Sequence, residues 1–175
     1  MFSKATIQKI DDFLRCEKQV VGKIIWNQKD ERHAYTAKLP LSNNDELIMD
    51  FDFEATANAS GLINSQGGTL KILHNPDDNK EKIIVCRMHI LPGNCHTNPR
   101  LKNCDVSGWY FPQYKTRFYS WEDMKLLDKS QISNNRHIAR NCDGVNDFSE
   151  SIKFFFQYAN IKGTLQLPEY DTKLL

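Results

Sequence analysis

The chain has 175 residues, of which 40% are hydrophobic and 26% charged, and 23 Lys and Arg against 22 Asp and Glu leave a net charge of +1. That balance belongs to a folded chain with a core of its own and excludes disorder. It also excludes recognition of nucleic acid or membrane through bulk charge, so any such surface must be local. Five cysteines (Cys16, Cys86, Cys95, Cys104, Cys142), odd in number and irregular in spacing, indicate reduced thiols. The first segment, MFSKATIQKIDDFLRC, is charged at every turn, unlike a signal peptide. No apolar run approaches the roughly 18 residues of a membrane span. These features predict one cytoplasmic domain over residues 1–175.

Residues 3–17 have Ser3 as N-cap and Ile7, Ile10, Phe13 and Leu14 at helical spacing, which predicts a helix. The apolar run 20–26 suits a strand, residues 27–32 a polar turn, and HAYTAKLPL a strand ended by Pro40. In ELIMDFDFEA the alternation is clearest. Leu47, Met49, Phe51, Phe53 and Ala55 fall on one face, with Asp50, Asp52 and Glu54 on the other. Residues 56–68 read as a loop, TLKILH and KIIVCRMHIL as strands about the turn NPDDNK, and residues 92–103 as irregular. Ser120 with Asp123 starts a short helix near residues 121–127. Residues 129–144 are polar and irregular. Asp147 with Glu150 starts a second helix that ends near Gly163. The order predicts an α+β fold: a mostly antiparallel sheet of about six strands, with an N-terminal and a C-terminal helix packed on it.

The richest stretch for function is 86–119. Arg100, Lys102, Trp109, Tyr110, Lys115 and Arg117 combine cations that neutralise phosphates with aromatic faces that stack on unpaired bases. Asp105 is its single acid. The plainer reading is a strand and loop covering the core. In IIVCRMHIL, Arg87 and His89 point to the same side. An imidazole that moves a proton beside a guanidinium that stabilises pentavalent phosphorus suits metal-free phosphodiester chemistry, with His96 and Tyr114 as further members. Such residues also occur in ordinary strands as hydrogen-bonding groups. Cys95, His96, Cys104, His137 and Cys142 lack the C-x-x-C spacing of a zinc site, so neither metal nor cofactor is expected. Asp50, Asp52 and Glu54 are a solvated strand face or a surface for a basic protein partner.

Residues 96–114 resemble a family of small, uncharacterised bacterial and prophage proteins, in which a His-x-Asn-Pro segment precedes a Gly-x-His-x-His-x-Tyr strand and a C-terminal helix. The matching residues are His96, Asn98 and Pro99, then Gly108 and Tyr114, with FFFQYANI resembling the closing helix. Tyr110 and Pro112 stand where the family has its two strand histidines. If those are catalytic in the family, this chain has lost or relocated the activity. The resemblance implies a host–phage conflict setting. Two functions follow as expectations. The first is an RNA-directed protein of the metal-independent endoribonuclease toxin type, built on Arg87, His89, His96 and Tyr114. The second is a non-catalytic inhibitor or adaptor, binding a host or phage protein through the acidic face or the aromatic segment.

Overall fold

Ser3 opens α1 (Lys4–Arg15) by accepting a hydrogen bond from the Thr6 N–H at 3.0 Å. This computed structural model describes residues 2–29, 34–58, 67–76, 81–127, 137–145 and 147–166. The strands that follow α1 are β1 (Lys18–Val20), β2 (Asn27–Lys29), β3 (Ala34–Leu39), β4 (Leu41–Asn43), β5 (Glu46–Leu47), β6 (Phe51–Asn58) and β7 (Gly68–His74). After them come β8 (Ile83–Ile90), β9 (His96–Thr97), β10 (Tyr110–Phe111) and β11 (Arg117–Tyr119). The short helix α2 (Trp121–Met124), β12 (Arg140–Asn141), α3 (Phe148–Tyr158) and β13 (Ile161–Lys162) complete the described elements. Both predicted caps form: Ser120 accepts from the Asp123 N–H and Asp147 from the Glu150 N–H.

The fold is α+β and mostly antiparallel, as expected. Its principal sheet has seven strands rather than about six, in the order β12-β11-β8-β7-β6-β3-β2. Every neighbouring pair in it is antiparallel. A smaller sheet, β13-β1-β4-β5, contains one parallel pair, and β9 pairs with β10 alone. Both long helices cover one face of the principal sheet. Phe13 of α1 stacks on Phe51, and Phe155 and Phe156 of α3 pack on Phe53. Between them lie Leu70, Ile72, Met88 and Phe118, all buried. Gly68 lets α3 approach: a Cβ there would overlap the Thr56 carbonyl oxygen and lie 2.6 Å from the Phe148 ring. The opposite face of the sheet carries the alternate, polar residues, and the candidate site stands there. No helix among the described residues is long and apolar enough to cross a membrane.

Several expectations need correction. The run 20–26 is not a strand beyond Val20, because Gly22 turns the chain at φ +77 and leaves Ile25 63% exposed. Asn27–Lys29, expected as a turn, is an edge strand. Leu47 and Met49 do not share the core face of Phe51 and Phe53; both are well exposed. Asn44 and Asp45, at φ 47 and 65, close the β4–β5 hairpin, and the chain resets its phase before β6 starts at Phe51. Asp50 therefore precedes the strand and pairs with Lys9 of α1 at 2.7 Å, apart from Asp52 and Glu54. Residues 56–58 extend β6 instead of opening a loop. Residues 59–66 of that predicted loop, the tip of the NPDDNK turn and all of 129–136 lie outside the described residues, and Arg140–Asn141, expected as irregular, is β12.

Candidate functional site

Alternation along β8 sends Cys86, Met88 and Ile90 into the core and Arg87 and His89 to the opposite face. Antiparallel pairing with β11 then sets Tyr119 opposite Arg87 and Arg117 opposite His89. Past β8 the backbone turns sharply at Leu91, whose φ of 43 is uncommon for a bulky side chain, and returns through Asn94 to His96. His137 arrives just ahead of β12. Arg87, His89, Asn94, His96, Arg117, Tyr119 and His137 together line a cavity of about 180 Å³.

Tyr119 is its centre. The rings of His89, His96 and His137 meet it edge-on at centroid distances of 5.2, 5.7 and 6.0 Å, and the Arg87 guanidinium sits 4.6 Å over its face. This cation–π contact holds Arg87 without neutralising it. Arg117 is 1% exposed and donates through Nη2 to the Asn94 carbonyl at 2.8 Å and side-chain oxygen at 2.9 Å. Its Nε, the Nε of Arg87 and both ring nitrogens of His137 are buried without a partner in the protein. Six side-chain atoms among the described residues share that condition, so four of the six gather here. Buried polar atoms are normally satisfied, and each exception costs about 1–3 kcal/mol.

The protonation state of His96 follows from its partners. Its Nε2 lies 3.0 Å from both the His137 carbonyl oxygen and Asn98 Oδ1. The Asn98 amide is oriented by its own bonds: Nδ2 donates to the Val106 and Ala139 carbonyls, and Oδ1 accepts from the Ala139 N–H. Both groups facing Nε2 are thus acceptors, so Nε2 carries the proton and Nδ1 is the ring's acceptor in its neutral form.

Burial is the first cause of the low basicity of all three histidines. It takes His89 down to about 3, reinforced by repulsion from Arg87 and Arg117, and His137 down to about 4, reinforced by Arg87 and His96. His96 is lowered too, by burial and Arg117, against the opposing hydrogen bonds to the His137 carbonyl and Asn98. The imidazoles are therefore neutral near pH 7. The two guanidiniums remain charged, and among the described residues no carboxylate lines the cavity. Such a lining repels a metal cation and matches an anion the size of a phosphate group. Among the described residues, no three of His, Cys, Asp and Glu converge as metal ligands. All five cysteines are free, with Cys86 and Cys142 buried and their thiols raised by burial.

Three of the four predicted catalytic residues, Arg87, His89 and His96, come together. Tyr114 does not: it is 65% exposed in a turn at φ 57, and Tyr119 supplies the phenol of the cavity instead. Arg117, expected on an open nucleic-acid surface, is a wall of the cavity. Arg100, Lys102, Trp109, Tyr110 and Lys115 are exposed. Trp109 and Tyr110 lie at the β9–β10 hairpin that carries His96, and Tyr114 is tied by its N–H to the Pro92 carbonyl in the loop that carries Asn94. Asp105 is held by Arg140, which also forks onto the buried Asp123. The supposed acidic surface is charge-balanced: Asp50 pairs with Lys9, Asp52 with Lys82 and Lys38, and Glu54 with Lys71.

Sequence reasoning counted Tyr119 only among the aromatics of residues 86–119, did not single out Asn94, and considered His137 only as a zinc ligand. Arg-Phe-Tyr at 117–119 does alternate, but its register against β8 is set by tertiary pairing. Comparison with known proteins gives no match to any family model, curated protein or solved structure.

Proposed function

We propose that the cavity is a phosphodiester site and that the protein is a metal-independent endoribonuclease, in the toxin-type conflict setting that the resemblance of residues 96–114 implies. The single observation that carries this reading is the meeting of two guanidiniums and three neutral imidazoles around one small cavity that, among the described residues, no carboxylate lines. Arg87 and Arg117 take the non-bridging oxygens of a phosphate, supplying charge that increases in worth as the phosphorus becomes pentavalent. His96 Nδ1 accepts the proton of the ribose 2′-hydroxyl, and the freed oxygen attacks the adjacent phosphorus. The bond from phosphorus to the 5′-oxygen breaks, and that oxygen receives a proton from His89 or His137. An entering anion raises the basicity of both by offsetting the repulsion from the guanidiniums, so either can be charged in the complex. The products are a 2′,3′-cyclic phosphate and a 5′-hydroxyl.

The test is incubation of purified protein with single-stranded RNA in excess chelator, followed by end-group analysis. Cyclic phosphate ends, lost in His96→Ala and Arg117→Ala and not formed on DNA of the same sequence, support the reading. Equal cleavage of DNA, which has no 2′-hydroxyl, or no cleavage of any RNA offered, overturns it. The inhibitor reading through Asp50, Asp52 and Glu54 draws no support from the charges, since each carboxylate already has a lysine.

A further inference from the structure

The cavity lies at one end of a longer feature of the same sheet face. Strand pairing aligns Asn27, Thr36, Thr56, Thr69, His89 and Arg117 in one row across β2, β3, β6, β7, β8 and β11. A second row, two residues along, aligns Lys38, Glu54, Lys71, Arg87 and Tyr119. Their strand neighbours Ala37, Ala55, Leu70, Met88 and Phe118 point into the core, so both rows stand on the face that the helices leave uncovered. Beyond Lys71 the rows sink into a groove of about 640 Å³, walled by Lys23, Ile25 and Pro40. Lys71 lines this groove and is the direct cross-strand neighbour of Arg87, which lines the cavity. At a strand spacing of about 4.8 Å, β3 lies about 14 Å from β8.

We propose that the outer sheet face is the track for the single-stranded RNA flanking the scissile phosphate, with the groove over β3 and β6 as a second nucleotide subsite. This rests on the reading of the cavity as a phosphodiester site and extends it from one phosphate to an oligonucleotide. The chemistry of the track is continuous. Its ladder of hydroxyl and amide groups offers donors and acceptors to phosphate oxygens and 2′-hydroxyls. Lys38 and Lys71 are engaged by Asp52 and Glu54, and Lys23 adds a positive charge to the groove beyond those pairs. Ile25, 63% exposed, and Pro40 give the groove an apolar wall for the face of a base. The cavity holds a phosphate with part of its sugar, so base contacts have to be made outside it.

The full-length protein is titrated with inorganic phosphate and with fluorescent oligouridylates of two, about four and about eight nucleotides. Binding is read by anisotropy and by amide NMR shifts. Phosphate and the dinucleotide are expected to move signals around His89, His96 and His137. The longer strands should also move Thr69, Thr56 and Thr36 and bind at least tenfold more tightly than the dinucleotide. The variant Lys23→Glu/Lys38→Glu alters two exposed side chains outside the cavity. It should weaken the longer strands about tenfold and lower their salt slope by about 1 to 2, while phosphate affinity stays as it was. If phosphate still binds the cavity but the longer strands gain nothing over the dinucleotide, or are indifferent to the double variant, the track is refuted and the cavity reading stands. If neither phosphate nor any RNA binds, the cavity reading falls and takes the track with it.

Discussion

Acidification is the perturbation that most directly probes the cavity. His89 and His137 titrate near 6.5 when unfolded, but at about 3 and about 4 in the folded protein, with burial as the first cause. The unfolded chain therefore takes up protons first as pH falls. Stability is complete above about pH 6.5 and is lost progressively as the pH drops toward the folded-state values. At about pH 5 each imidazole forfeits about 2 kcal/mol, so the pair forfeits about 4, a large share of the roughly 5–15 kcal/mol that holds a domain together. With a typical urea dependence of about 2 kcal/mol per molar, the unfolding midpoint should fall by about 2 M between pH 7.5 and 5. Asp52 and Asp105, lowered by their cationic partners against burial, lose stability only below about pH 4, outside this window. Replacing either imidazole by a neutral group, His89→Gln or His137→Gln, should remove about half of the slope. Saturating phosphate should flatten what is left. The same midpoint shift in all three proteins would refute the account of the cavity as a cluster of mutually repelling, desolvated bases.

Three further outcomes are expected. In ¹⁵N spectra at pH 7, His96 should show a protonated Nε2 and an unprotonated Nδ1; the opposite tautomer would remove it as the base and contradict the orientation of Asn98. Lys18 is buried and donates from Nζ to the carbonyls of Cys16 at 2.6 Å and Ala159 at 2.5 Å, joining the C-terminal ends of α1 and α3. Lys18→Met should cost about 2 kcal/mol in chemical denaturation because one buried and one part-buried acceptor lose their donor; an unchanged midpoint would show that the contact contributes nothing net. Gly68→Ala should cost about 3 kcal/mol or more, since the new Cβ would meet the Thr56 carbonyl and the Phe148 ring, and a variant of wild-type stability would mean that α3 does not pack as described.

What could be read from the chain was local. Alternation in IIVCRMHIL placed Arg87 and His89 away from the core, and the three capping residues Ser3, Ser120 and Asp147 marked helix starts, because both signals depend on residues only two or three positions apart. The cavity was half legible for the same reason. Arg87 and His89 lie two residues apart, but Arg117 and Tyr119 reach them through pairing across about thirty residues, and His137 comes from further along still. No period in the sequence encodes that register. The errors were local as well: alternation through ELIMDFDFEA runs across the break between β5, which ends at Leu47, and β6, which starts at Phe51, so Met49 and Asp50 do not take the faces that alternation assigns. Exposed and buried cations also look alike in sequence, which is why Arg117 was grouped with Lys115.

The contrast between the cavity and the rest of the fold bears on what the cavity is for. Asp123, a buried residue of α2, receives a fork of two hydrogen bonds from Arg140. Asp52 and Glu54 each have a lysine, and the buried ammonium of Lys18 has two carbonyls. Outside the cavity, two side-chain atoms among the described residues, Ser42 Oγ and Asn75 Oδ1, are buried without a partner in the protein. Around Tyr119 the fold assembles two cations and three bases, with four buried atoms unanswered, and spends the Asn98 network on fixing one imidazole's orientation. An arrangement that costs stability when empty and gains it on receiving an anion binds that anion with the difference. The phosphate of the proposed RNA substrate would bring the negative charge that this lining lacks.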